Sequence, residues 1–322
     1  MSTNSLAYRP DIDGLRALAI IPVVLFHLDL VMFKGGFLGV DIFFVISGFL
    51  ITKNILKKIH TNSFSFINFY ESRMRRLLPT IFICQFFVLL IGILLFLPND
   101  LYSLGTSSIY SNFYLSNVFF YNSVGYFGGP AELKPLLHTW SLSVEEQFYL
   151  ILPATVFILS FIKTYKKLLP ILFFIIFLLS FYLNILYSEV NQNYSFYLIF
   201  TRAWELVAGS IIACYIDKIN IQKVFFNILG LLGLFLVYFS IFEFSAESFF
   251  PGYFQLAPVL GSSLLILSGL QVNSLSYRIL SSKILVYFGQ ISYALYVFHW
   301  PVVAMHKYFF PNGLLYYQIY II

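Results

Sequence analysis

Apolar residues fill this chain in long blocks of roughly 17–25 positions, broken by short polar segments. About 20 apolar residues are needed to cross a bilayer core as a helix, and a helix satisfies its backbone polar groups internally. Such blocks fall at 13–32, 37–54, 78–97, 143–162, 168–187, 196–216, 224–242, 254–270, 285–305 and 314 onward. The tenth reaches Ile322 after nine positions, short of a full crossing. The pattern predicts an all-α, polytopic membrane bundle of ten spans, the last truncated. It forms one transmembrane domain over residues 1–322 with an incomplete C-terminal end. Residues 64–79, "FSFINFYESRMRRLLP", alternate bulky apolar and polar positions and predict a separate helix lying on the membrane interface. No internal repeat of 20–50 residues and no separate soluble domain is visible.

Composition agrees with this. The chain is 60% hydrophobic and 10% charged, where soluble domains carry about a quarter charged residues. The net charge of +5 therefore reports topology and is not a nucleic-acid footprint. With the N-terminus in the cytoplasm, all of the 19 Lys and Arg residues fall on the inner side except Lys34, Lys134, Lys307 and the intramembrane Arg202. That bias places 98–140 outside as one long loop, rich in Tyr and Asn over 110–127. A loop of that length points to function or to short helices of its own. The first block lacks a small-residue cleavage site and is followed at once by a second, so no cleavable signal is read. Cys84 and Cys214 lie in apolar spans and read as packing residues, with no disulfide framework or metal site.

Ionisable groups inside spans are costly and mark functional candidates. Arg16 and His27 share the first span, His27 lying about 16 Å outward of Arg16. Asp41 follows the tight turn at "FKGG" and is expected at the depth of His27, where a carboxylate would orient a general base. Its alternative role is a helix cap. "SGF" at 47–49 reads as a close-packing site. In "LLHTWSLSVEEQFYL", Glu145 and Glu146 are expected at the outer mouth of the fourth span, after His138 and Ser143, as caps or as functional acids. Arg73, Arg75 and Arg76 face the inner side and suit either lipid headgroups or a phosphate-bearing ligand. Arg202 and Glu205 are three apart and read as an intramembrane ion pair. His299 lies deep in the ninth span, before Pro301.

Five stretches together, "DIDGLRALAIIPVVLFH", "GGFLGVDIFFVISGFLIT", "FYESRMRRLLP", "LLHTWSLSVEEQFYLILP" and "ISYALYVFHWP", resemble the bacterial acyltransferase type 3 family over about residues 8–305. These are integral membrane O-acetyltransferases of cell-surface sugars. The resemblance implies ten helices, acyl-CoA (usually acetyl-CoA) as cytoplasmic donor, no metal, and acylation of a hydroxyl at the periplasmic side. It implies residence in the bacterial inner (cytoplasmic) membrane. The family's Arg–ten residues–His motif falls on Arg16 and His27, its Arg-x-x-Arg motif on Arg73 and Arg76, and its acidic pair on Glu145 and Glu146. Family members complete the last helix, and some add an extracytoplasmic hydrolase-like domain.

The expectation is an O-acyltransferase acting on a surface glycan or lipid-linked sugar, such as lipopolysaccharide O-antigen. His27 would be the base, aided by Asp41 or a nearby acid (Glu145 or Glu146), with Arg16, Arg73 and Arg76 toward the donor. Direct transfer and an acyl-enzyme route both remain open. A transporter is the alternative, but it predicts inverted repeats and matching broken spans, which are not seen.

Overall fold

A computed structural model describes residues 8–123, 130–219, 222–245 and 250–311. Among these the chain is all-helical. In chain order the helices are α1 (Pro10–His27), α2 (Gly39–His60), α3 (Phe66–Leu95), α4 (Pro98–Asn112), α5 (Ser116–Ser123), α6 (Thr139–Ser160) and α7 (Tyr165–Val190). They continue with α8 (Gln192–Tyr197), α9 (Ile199–Tyr215), α10 (Lys223–Glu243), α11 (Leu256–Ser268), α12 (Leu275–Leu280), α13 (Lys283–Gln290) and α14 (Ser292–Phe309).

Six of the described helical segments are long and apolar enough to cross a membrane, those built on α2, α3, α6, α7, α9 and α10. Of the other four expected blocks, α1 carries Asp11, Asp13 and Arg16, and α11 has only 13 residues. The block at 285–305 is divided at Ile291 between α13 and α14. The tenth, from 314, lies outside the described residues. The architecture is thus that of a multi-pass membrane bundle, with six candidate spans among the described residues where the sequence pattern predicts ten.

Burial separates the centre from the rim. In α2, 67% of the most apolar window is buried, against 28% in α3 and in α7. On α3 the exposed residues Phe82, Ile83, Phe86, Phe87, Leu90, Ile93 and Leu94 recur at helical spacing along one face. Such a face would be a liability in water and is the lipid contact of a membrane helix. At the centre α2 crosses α9 closely. A Cβ on Gly48 would stand 1.7 Å from the Leu206 carbonyl oxygen, and one on Gly209 would stand 2.0 Å from that of Val45. Only glycine permits this approach, as small residues do at membrane helix crossings. Thr52 then donates to Ser210 across the seam at 2.8 Å.

One local expectation is corrected, that for 64–79, while the short helices expected in 98–140 are present. Residues 64–79 are not a separate interface helix. Most of this stretch is the first half of α3, which runs unbroken for 30 residues through Pro79. Ser65 caps it by accepting from the Asn68 N–H at 3.4 Å. The 98–140 segment does contain helices, and α4 and α5 fold back on one another. Their turn, at Tyr114 (φ 54°), is pinned by the Gln147 amide, which donates to the Tyr114 carbonyl at 2.9 Å. Gln147 lies two turns into α6, so this hairpin enters the bundle rather than lying over it. Cys84 and Cys214 are both free thiols.

Candidate functional site

A cavity of about 340 Å³ opens among α1, α2, α3, α6 and α14. Arg16, Arg73, Arg76, Glu145, Glu146 and Tyr149 all line it. Helical geometry explains the convergence: Arg73 and Arg76 are one turn apart on α3, and Glu145 and Tyr149 one turn apart on α6. The Arg73 guanidinium stacks over the Tyr149 ring at 3.9 Å, and its buried Nε makes no hydrogen bond. Arg16 is held by Asp13 at 2.9 Å. Arg75, by contrast, is exposed and bonded to Glu71 at 2.6 Å, away from the cavity.

Glu145 and Glu146 were expected at the mouth of a span beginning at 143. The helix begins at Thr139, so both acids sit about two turns inside it, and no side chain caps α6. Ser143 pairs instead with Ser116 at 2.7 Å. Glu145 accepts from the Ser47 and Tyr149 hydroxyls. Ser47 therefore does more than allow close packing. The arginines and the acids, expected on opposite sides of the membrane, share one chamber.

His27 ends α1 and does not line that chamber. Its Nδ1 lies 3.1 Å from Nε2 of His299, and its ring packs edge-on against Trp300 at 4.6 Å. The expected His27–Asp41 partnership is absent. Asp41 is fully buried two residues into α2, makes no cap, and accepts from Arg202 at 2.9 Å and from Gln255 at 2.8 Å. Arg202 also pairs with Glu205 at 3.1 Å, as its spacing predicted. The α2 register turns Asp41 toward Arg202 of α9 and Gln255, the residue before α11. Nothing in the spacing of His27 and Asp41 could reveal that.

Helix α14 contributes to two cavities, Tyr296 to the first and Tyr308 to the second, with His299 between them in the chain. Tyr296 lines the arginine chamber, donates to the His138 carbonyl at 3.1 Å and shares a hydrogen bond with Ser141. His138 is buried beside Tyr296 and His299, and neither of its ring nitrogens makes a hydrogen bond of good geometry. One residue past His299, the Trp300 indole N–H donates to the Lys134 carbonyl at 2.9 Å. Lys134 and Tyr308 line a second cavity of about 650 Å³, with Asn99, Asp100, Ser103 and Asn122. Lys307, beside Tyr308, pairs with Asp29 at 2.9 Å, so this cavity lies at the His27 end of α1. The sequence pattern did not single out Tyr149, Tyr296 or Gln255. Tyr149 had a signal, its one-turn spacing from Glu145.

A helical membrane bundle with arginines and acids around one internal chamber and a histidine pair beside it defines a class of membrane enzyme-like sites. Comparison with known proteins makes that specific. The family profile described as an acyltransferase domain matches residues 9–322, and the chain belongs to that acyltransferase type 3 family. The chain is 35% identical over 315 residues to the peptidoglycan O-acetyltransferase OatA of Listeria monocytogenes, covering 94% of this chain and 50% of that protein. It is 32% identical to the O-acetyltransferase OatA of Staphylococcus aureus, covering 98% of this chain and 54% of the relative. A putative O-acetyltransferase of the same species is 30% identical over 99% of this chain. The chain spans about half the length of these relatives. No solved structure matches it.

Proposed function

We propose that this chain is a membrane O-acyltransferase domain, spanning residues 1–322, that uses an acyl-CoA such as acetyl-CoA as donor substrate. Its acceptor is a hydroxyl of a cell-wall glycan. The observation that carries this reading is the convergence of Arg16, Arg73 and Arg76 on one chamber, next to a histidine pair. Guanidinium forks match phosphate oxygens, and the unpartnered Nε of Arg73 is a buried donor in need of an acceptor. The chamber therefore fits the phosphate-bearing part of the donor, and the arginine-rich end is assigned to the cytoplasm. The second cavity, lined by hydroxyls, amides and Asp100, is assigned to the acceptor sugar. The relative in Listeria is named for peptidoglycan, so a peptidoglycan hydroxyl replaces the lipopolysaccharide expected from the resemblance.

In this scheme His27 takes the proton as the acceptor oxygen attacks the thioester carbonyl. The C–S bond then breaks, and the proton passes from the imidazolium to the departing thiolate. An acyl-enzyme route would use the same base twice.

Two measurements test this. Mass spectrometry of surface glycans should show an intact polymer lighter by acetyl groups when the gene is deleted. A missing or untranslocated polymer would favour transport instead. Arg73→Ala and Arg76→Ala should each raise the donor KM by about 10- to 100-fold, because a hydrogen bond to a charged group is worth about 1.5–3 kcal/mol. Arg73→Lys should rescue poorly, since an ammonium neither forks nor reproduces the stack on Tyr149. Full activity of Arg73→Lys at limiting donor would remove the phosphate-clamp role and leave lipid anchoring.

A further inference from the structure

A histidine can act as a base only through a nitrogen that carries no hydrogen, and the surroundings decide which of its two nitrogens that is. In α14, Nδ1 of His299 lies 2.8 Å from the Tyr296 carbonyl oxygen and 3.1 Å from that of Leu295. A carbonyl only accepts, so this Nδ1 carries the hydrogen. In a neutral imidazole the other nitrogen is then bare. That bare Nε2 faces Nδ1 of His27 at 3.1 Å. A bare nitrogen can only accept, so His27 must donate from Nδ1. The lone pair of His27 is thereby left on Nε2.

We propose that His299 is the positioning residue that selects the base tautomer of His27, using the backbone of its own helix as the reference. The proposal rests on the reading of His27 as the general base. The role is the one a buried carboxylate fills in Ser–His–Asp sites, where it holds the imidazole tautomer. The sequence pattern suggested Asp41 for that role, but its carboxylate is bonded to Arg202 and Gln255. A neutral imidazole suits this place, because it orients His27 without adding an unpaired charge to an apolar interior. The neighbours agree. The facing groups are the neutral rings of Trp300 and Tyr296 and the buried His138, whose ring lies 6.1 Å from that of His299. Lys307, on the same helix as His299, is paired with Asp29 at 2.9 Å and with Glu132 at 3.7 Å. Trp300 is itself anchored by its indole N–H to the Lys134 carbonyl at 2.9 Å, so the ring against His27 is fixed.

The experiment is ring-¹⁵N histidine NMR on the full chain in lipid nanodiscs. The chain has five histidines, so the spectrum is small, and signals are assigned by their loss in His27→Gln and His299→Gln. The expected wild-type result is both His27 and His299 neutral, protonated on Nδ1 and bare on Nε2. In His299→Phe, His27 should move toward the Nε2–H form that free imidazole prefers. The kcat for acyl transfer should then fall by on the order of 10²-fold or more, with donor KM unchanged, since a wrong tautomer costs up to about 10⁴-fold in a histidine-based site. His299→Gln places an amide oxygen where Nε2 was and should recover most of kcat. A His27 found as Nε2–H in the wild type, or a His299 found as imidazolium, overturns the proposal, and the wild-type spectrum alone decides this even if His299→Phe does not fold. A His299→Phe protein with unchanged kcat overturns it equally. If His27→Gln keeps full activity, the base assignment fails separately, while the tautomer is still read from the spectrum.

Discussion

His27→Gln is expected to lower acyl transfer by roughly two to four orders of magnitude, the usual worth of a positioned general base. Gln keeps a hydrogen-bonding end of similar reach, so a histidine serving only to pack against Trp300 and His299 would tolerate it. An amide, however, takes no proton near neutral pH. Protein level and membrane insertion should hold, because a neutral amide costs the bilayer no more than an imidazole that must charge during turnover. Donor KM should also hold, because His27 does not line the chamber that contains Arg16, Arg73 and Arg76. The check is transfer of labelled acetyl from acetyl-CoA by purified protein in nanodiscs, normalised to folded protein. A rate near that of the wild type would make His27 architecture, and the general-base mechanism would have to be abandoned.

The second large effect is on stability. Arg202→Met should destabilise the fold by about 3–5 kcal/mol, the cost of leaving a buried charge without its partner. Arg202 is 1% exposed and is the guanidinium shared by Asp41 and Glu205, each fully buried. Gln255 adds an amide donor to both acids, at 2.8 and 3.2 Å, but carries no charge and cannot replace it. The variant Asp41→Asn/Arg202→Met/Glu205→Gln removes the whole set and should recover much of the loss, because the cost lies in the orphaned carboxylates rather than in the missing cation. Detergent-unfolding curves for the three proteins would decide this. Equal midpoints for the wild type and Arg202→Met would show that the network contributes nothing to the fold.

Sequence and structure divide this protein along a physical line. Element type and general location are local properties. An unbroken apolar block such as 168–187 has to be a helix in lipid whatever its neighbours do, and α7 lies there. A charge three residues from an opposite charge on one helix has to be its neighbour, so Arg202–Glu205 was legible. The family, and the candidacy of Arg16, Arg73, Arg76 and the two glutamates, also came from motifs within single helices. Relations between helices were not legible, because they depend on rotation and register that no single segment encodes. The start of α6 at Thr139, ahead of the apolar block, carried Glu145 and Glu146 from an expected surface into the arginine chamber. The rotation of α2 gave Asp41 to Arg202, and the packing of α14 on α1 gave His27 a histidine 272 residues away. Which groups enter the membrane at the cost of desolvation follows from the order of residues in the chain. Which of them meet depends on how the helices pack, because partners on different helices are chosen by the fit of glycines and aromatic rings at the crossings, such as Gly48 on Leu206 and His27 on Trp300.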